Sequence, residues 1–180
     1  MGMFFNVHLD SLEDLLILQL NDLYDAEQRL VDAIPTMAEA ATSPALKQGF
    51  QTHWQQTKRH VSRLEQAFVD LGRPASRDTC DAMTGLIKEC SEIVDAVGDP
   101  DVRDAALIAA AQRVEHYEIA SYGSARTFAQ RLGQSNVARL LQSTLDEEKE
   151  ADQHLTQLAE ERINVRAESA QSERDVPLSM

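Results

Sequence analysis

The chain has 180 residues, with 17 Lys and Arg against 30 Asp and Glu and a formal net charge of −13. That balance argues against a broad basic surface for nucleic acid or an anionic membrane, and fits simple solubility. The length suffices for one domain with a sizeable core, and the abundance of Ala, Leu, Glu, Gln and Arg favours helix.

The opening MGMFFNVHLD has no Lys or Arg and no cleavage site, so a cytoplasmic protein without a secretory leader is expected. The apolar run Leu15-Leu16-Ile17-Leu18 is too short to span a bilayer. The first helix begins near Asp10-Ser11, where Ser11 and Asp14 have capping-box spacing, and runs to about Ala41. Pro35 lies inside it and is expected to kink its last turns. Ser43-Pro44 opens the second helix as a cap followed by Pro, and Gly72-Arg73-Pro74 ends it. A short helix from about Cys80 to Ala96 stops at Gly98. Cys80 and Cys90 form no CxxC pair and are expected to be reduced thiols packed as small hydrophobes. Asp99-Pro100 opens the next long helix, which ends at Gly133. Ser135 is expected to cap the last helix, which runs to about Arg162. Residues 163–180 turn polar and read as a flexible tail outside a domain of residues 1–162.

The connections define the architecture. Tight turns make helices one and two antiparallel neighbours, and likewise the last two long helices. A connection of residues 74–99 with its own short helix joins the pairs. Two helical hairpins joined by one long crossover is an all-α, ferritin-like four-helix bundle carrying a short fifth helix.

Acids interrupt the apolar faces of these helices. In Ala105–Gly123, placed at about 100° per residue, Ile108, Ala111, Glu115, Ile119 and Tyr122 share one side, with Glu118 near the same line. Glu27 stands at the centre of the stripe Leu16, Leu20, Leu23, Val31, Ile34, Ala38. Glu148 is central on the last helix and Asp152 lies one turn on, whereas Glu147 and Glu150 fall off the stripe. On the second helix the stripe is Phe50, Trp54, Thr57, Val61, Leu64, Phe68, flanked by His53 and His60.

Counting along helices that rise about 1.5 Å per residue places Glu118 level with Glu148 and Glu115 level with Asp152. Glu27 comes level with Gln56 and Thr57. The polar residues thus form one layer at mid-height. Carboxylates so close either take up protons or bind cations. Carboxylate plus imidazole suits iron or manganese, and zinc less specifically. The alternative is pairing with a buried cation, for which Lys58, Arg113 and Arg126 are candidates.

The segments RDAALIAAAQRVEHYEIASYG (103–123), LDEEKEAD (145–152) and NDLYDAEQRL (21–30) make the chain similar to a known family. His53-Trp-Gln-Gln-Thr57 and Arg63-Leu64-Glu65 fit as well. The family is that of small ferritin-like bacterial stress proteins typified by YciF and YciE, the domain of unknown function 892. The resemblance spans residues 9 to 162 and implies a five-helix ferritin-like fold, a homodimer and a site for two metal ions. Carried over by position, Glu27, Glu115, Glu118 and Glu148 would be ligands, and Glu115-x-x-Glu118 resembles the third helix of rubrerythrin.

The family pattern is not followed everywhere. Glu148 and Asp152 are four apart where di-iron bundles have Glu-x-x-His, and Gln55-Gln56 stand where relatives often carry acid. His53 is therefore expected to supply a ligand, and Asp152 to complete the set. Gln56, His60, His116, Tyr24 and Tyr122 are expected around the ligands, while His8 and His154 read as surface residues.

Two functions follow as expectations. One is a dimetal-carboxylate protein of the stress response, reacting with dioxygen or peroxide. The other is a non-catalytic helical interaction protein whose acids are salt-bridged or hold a redox-inert ion.

Overall fold

The computed structural model describes residues 9–174; His8, expected at the surface, and residues 175–180 of the expected tail lie outside them. The helices are α1 (Leu12–Ala40), α2 (Pro44–Leu71), α3 (Asp81–Val94), α4 (Pro100–Arg131) and α5 (Ser135–Leu158). A π-helical turn (Ala159–Ile163) and α6 (Asn164–Arg174) follow. α1 packs on α2 and α4 on α5 as two hairpins, α2 meets α5 and α1 meets α4 to close the bundle, and α3 lies against α1 and α4.

The boundaries have local causes. Ser11 Oγ accepts from Asp14 N–H at 3.1 Å, and Asp99 Oδ1 accepts from the N–H groups of Asp101 and Val102. Gly72 and Gly133 end α2 and α4 in the left-handed region, at φ of 63° and 72°, where side chains are disfavoured. α1 continues through Pro35 to Ala40 as one helix.

Ser43 precedes α2 with Pro44 at its first position, as expected, but its side chain makes no cap hydrogen bond. The cap expected at Ser135 is corrected: Gln134 precedes α5, and Ser135 is its first residue. At α2 the work is done across the bundle by the fully buried Asp104 of α4, which accepts from Thr42 N–H, Thr42 Oγ1 and Ser43 N–H at 2.7–2.9 Å. A carboxylate at a helix N-terminus also meets the positive end of the helix dipole. The boundary at 162 is corrected too. Ile163 is only 1% exposed, and the chain stays helical to Arg174 with α6 packed along α4.

The core has two apolar halves. One contains Leu16, Leu20, Leu23, Leu64, Phe68 and Leu141; the other contains Leu30, Ile34, Leu46, Phe50, Leu107 and Ile108. Each buried side chain of this size contributes about 1.5–3 kcal/mol. The seams follow alternating steps of four and three: Leu16, Leu20, Leu23, Glu27, Leu30, Ile34, Met37 on α1, and Leu46, Phe50, His53, Thr57, His60, Leu64, Ala67 on α2. Such steps are those of knobs-into-holes packing between helices. They put polar residues in the seam itself, between the two apolar halves.

Candidate metal centre

Four helices supply the polar layer: Glu27 from α1, His53 and His60 from α2, Glu115 and Glu118 from α4, and Glu148 from α5. Two sets of ligand-capable atoms result. His53, Glu115, Glu118 and Glu148 form one, and Glu27, His60 and Glu148 the other; within each set the atoms lie within 4.8 Å of one another. Ligands about 2.0–2.2 Å from a single ion lie at most about 4.4 Å apart, close to the span of each set. Glu148 belongs to both.

The layer is buried and poorly paired. Glu27, Glu118, Glu148 and His60 are fully buried, and both oxygens of Glu118 and of Glu148 lack hydrogen bonds. His60 Nδ1 lies 2.9 Å from Glu148 Oε1 and 3.3 Å from Glu27 Oε1, within ion-pair reach but without hydrogen-bond alignment. His53 Nε2 stands 3.4 Å from Glu115 Oε1 and 3.8 Å from Glu148 Oε2. Tyr122 Oη donates to Glu27 Oε1 at 2.5 Å.

None of the three basic residues considered as partners reaches the layer. Lys58 sits over the Trp54 ring, Arg113 pairs with Glu89, and Arg126 donates to Gln142.

Protonation follows from this environment. Burial pushes the carboxyls of Glu115, Glu118 and Glu148 above the usual range; neighbouring acids add to the rise, and at Glu115 and Glu148 the imidazoles oppose it. Burial also disfavours the His60 imidazolium, but Glu27 and Glu148 outweigh it and raise that ring to about 11.

Outside the layer, His60 Nε2 lies 2.8 Å from Glu147 Oε2. Arg63 grips the same carboxylate with two hydrogen bonds, at 3.1 and 2.7 Å. Burial alone would raise Glu147, yet Arg63 and His60 bring it down to about 2.

The other expected site residues are placed differently. Asp152 belongs to neither set; it accepts from Gln112 Nε2 at 3.0 Å and faces the exposed His116 at 3.4 Å. Gln56 is half-buried and lines a cavity above His53 and Glu115. Tyr24 donates to Glu65 and packs edge-on against Phe68, away from the layer. Tyr117 donates to Asp22 and contacts Cys80 Sγ at 3.1 Å; Cys80 and Cys90 are both buried and unpaired, as expected. His60 stands in a ligand-capable set, closer in than expected; the four-three spacing from His53 was the signal for it.

The fold and sequence have known relatives. The Escherichia coli (strain K12) protein YciF is 42% identical over 164 residues, 91% of this chain and 99% of its own length. The crystal structure of the E. coli stress protein YciF matches with a TM-score of 0.84 at 43% identity, covering 87% of this chain and 99% of that one. YcfI of Rhodopseudomonas palustris matches at 0.80 with 41% identity over 86% of this chain and 98% of its own. A Xanthomonas campestris protein at 21% identity and a TM-score of 0.70 shares the fold. With residues 11–168 matching its pattern, the chain belongs to the family described as domain of unknown function DUF892.

Proposed function

We propose that the chain is a ferritin-like dimetal-carboxylate protein that binds two iron or manganese ions and reacts with dioxygen or peroxide. The observation that carries this reading is the pair of ligand-capable sets sharing Glu148, filled with buried carboxylate oxygens that have no hydrogen bond. Leaving such groups unpaired costs several kcal/mol each unless they take up protons or a cation.

The donor set fits the proposed ions. Four carboxylates and two imidazoles make a mixed oxygen and nitrogen site, suited to iron or manganese, with zinc as a further candidate. His53, Glu115 and Glu118 would hold one ion, Glu27 and His60 the other, with Glu148 common to both. Bound there, such metals would supply reversible one-electron chemistry toward an oxygen species. The residues themselves hold the donors in register, exclude bulk water from the Glu27 side by burial, and keep Tyr122 Oη on Glu27. Glu118, with both oxygens free of hydrogen bonds, is placed to carry a proton at the layer.

A role in the stress response is proposed from the name of the E. coli relative. Assembly as a homodimer and a cytoplasmic location belong to the same proposal. Among the described residues no helix is long and apolar enough to cross a membrane.

The competing reading is a non-catalytic bundle whose acids are salt-bridged. Its support is His60, whose ring can balance Glu27 and Glu148 as a cation; it leaves Glu118 without a partner. Elemental analysis of protein purified from iron- or manganese-supplemented medium separates the two. About two ions per chain, lost in the Glu115→Ala/Glu148→Ala double variant, supports the dimetal reading. A wild-type protein without metal, or a double variant retaining the wild-type content, overturns it.

A further inference from the structure

The two faces of the acid layer differ in access. On the Glu27 side, Glu27, His60 and Tyr122 are all fully buried. On the other side a cavity of about 340 Å³ descends between α2 and α5. Its mouth is set by the exposed Thr52, Glu150 and His154, and its floor by His53 and Glu115. His53 is 8% exposed where His60 is 0%.

The lining restricts what can enter. Phe50 and Leu155 give the cavity apolar walls, which favour an uncharged solute over an ion. Glu150 at the mouth and the net charge of −13 disfavour anions. The volume is on the order of ten water molecules at about 30 Å³ each, more than dioxygen or peroxide needs.

Gly49 lines the same cavity from inside α2. Glycine in a helix interior costs about 1 kcal/mol relative to alanine. Gly49 has no conformational need to be glycine, since positive φ is confined to Gly72, Gly98 and Gly133 among the described residues. A Cβ at 49 would make only ordinary van der Waals contact, 3.5 Å from His154 Cδ2 and 4.0 Å from Leu158 Cδ1, whereas a longer side chain such as leucine would extend into the cavity that position 49 lines.

We propose that this cavity is the entry and binding chamber for a small uncharged ligand, delivering it to the His53–Glu115 face of the acid layer alone, and that the missing side chain at Gly49 keeps it open. That the ligand meets a metal there rests on the dimetal reading; the route itself does not.

The test uses diethyl pyrocarbonate, a small uncharged acylating reagent, on the full chain treated with chelator, with each histidine followed by peptide mass mapping. In the wild type His53 is labelled. Gly49→Leu slows labelling of His53 by at least about tenfold, because a close-packed interior passes a solute only through rare openings. His116, with a 69% exposed side chain, keeps its rate and serves as the reference. Thr52→Phe, at the exposed mouth, slows His53 in the same way without repacking the core, and carries the test if Gly49→Leu fails to fold. A wild-type His53 that is not labelled, or an unchanged His53 rate in the folded variants, overturns the proposal. No step depends on bound metal, so a wild type without metal refutes the dimetal reading and leaves this one to its own result.

Discussion

The Nε2 atom of His60 lies 2.8 Å from Glu147 Oε2, and that contact turns Nδ1 inward to within 2.9 Å of Glu148. With a metal ion on Nδ1, the outer carboxylate would hold the remaining ring proton on Nε2. A carboxylate behind a histidine ligand tunes affinity in this way in many metal proteins. Glu147→Ala is therefore expected to weaken manganese or zinc binding by about 10–100-fold. Competition titration against a chromophoric chelator reads this, and an unchanged affinity would mean that His60 takes no part.

Glu118 is expected to trade stability for binding. Both its oxygens are buried without hydrogen bonds. Replacing buried charged groups by apolar ones of similar volume often stabilises by about 1–4 kcal/mol. Glu118→Leu should raise the melting temperature of the chelator-treated protein at about pH 8, by roughly 2–4 °C per kcal/mol gained. The same variant should lose the stabilisation that added manganese confers on the wild type. A variant that melts lower without metal would mean that the Glu118 carboxylate has a stabilising partner.

The pH dependence has a definite sign. A group whose pKa is higher in the folded state stabilises fully below its unfolded value and progressively less as pH rises. His60, raised from 6.5 to about 11, therefore contributes fully below pH 6.5 and loses that contribution on the way to about 11. The raised carboxyls of Glu115, Glu118 and Glu148 act in the same direction, because above pH 4.5 the unfolded chain ionises first. Glu147, lowered to about 2, works oppositely, its contribution being lost as pH falls below 4.5. Metal ligands must be deprotonated, so binding strengthens as pH rises. Melting curves should show the chelator-treated protein losing stability from about pH 5 to about pH 9 while the gain on adding manganese grows. A gain that shrinks with pH would contradict the assignment of the layer as ligands.

Asp104 is expected to matter for the fold and not for the site. It is fully buried and accepts three hydrogen bonds across the join between α1 and α2. Asp104→Ala leaves two amide donors and a hydroxyl without it, at about 1–3 kcal/mol for each buried donor left unsatisfied. Urea denaturation should show a loss of that order or more, with metal content per folded chain unchanged. A neutral substitution would mean that water replaces the carboxylate.

Much of this was legible from the chain because helices are local. Ser11, Asp99, Gly72 and Gly133 mark their ends by side-chain caps or left-handed turns. Equal rise per residue then carried Glu27, Glu115, Glu118 and Glu148 into one layer. What was hidden depends on partners far along the chain. Asp104 caps a helix some 60 residues away (|i−j| of 61 and 62), which no local spacing announces. A strict 3.6-residue period centred the α2 stripe on Trp54 and Val61, whereas the supercoiled seam runs through His53 and His60. Asp152 sits on the apolar spacing, yet it lies one turn beyond the layer, where Gln112 holds it. The polar composition of α6 hides that it packs along α4, behind the buried Ile163.

Anomalous diffraction from crystals soaked in manganese would locate any ions bound in the acid layer. Two peaks about 3.5–4 Å apart are expected, one against His53, Glu115 and Glu118 and the other against Glu27 and His60, with Glu148 common to both. Soaked crystals with no peak in this layer, or with peaks only at surface acids, would contradict the dimetal reading.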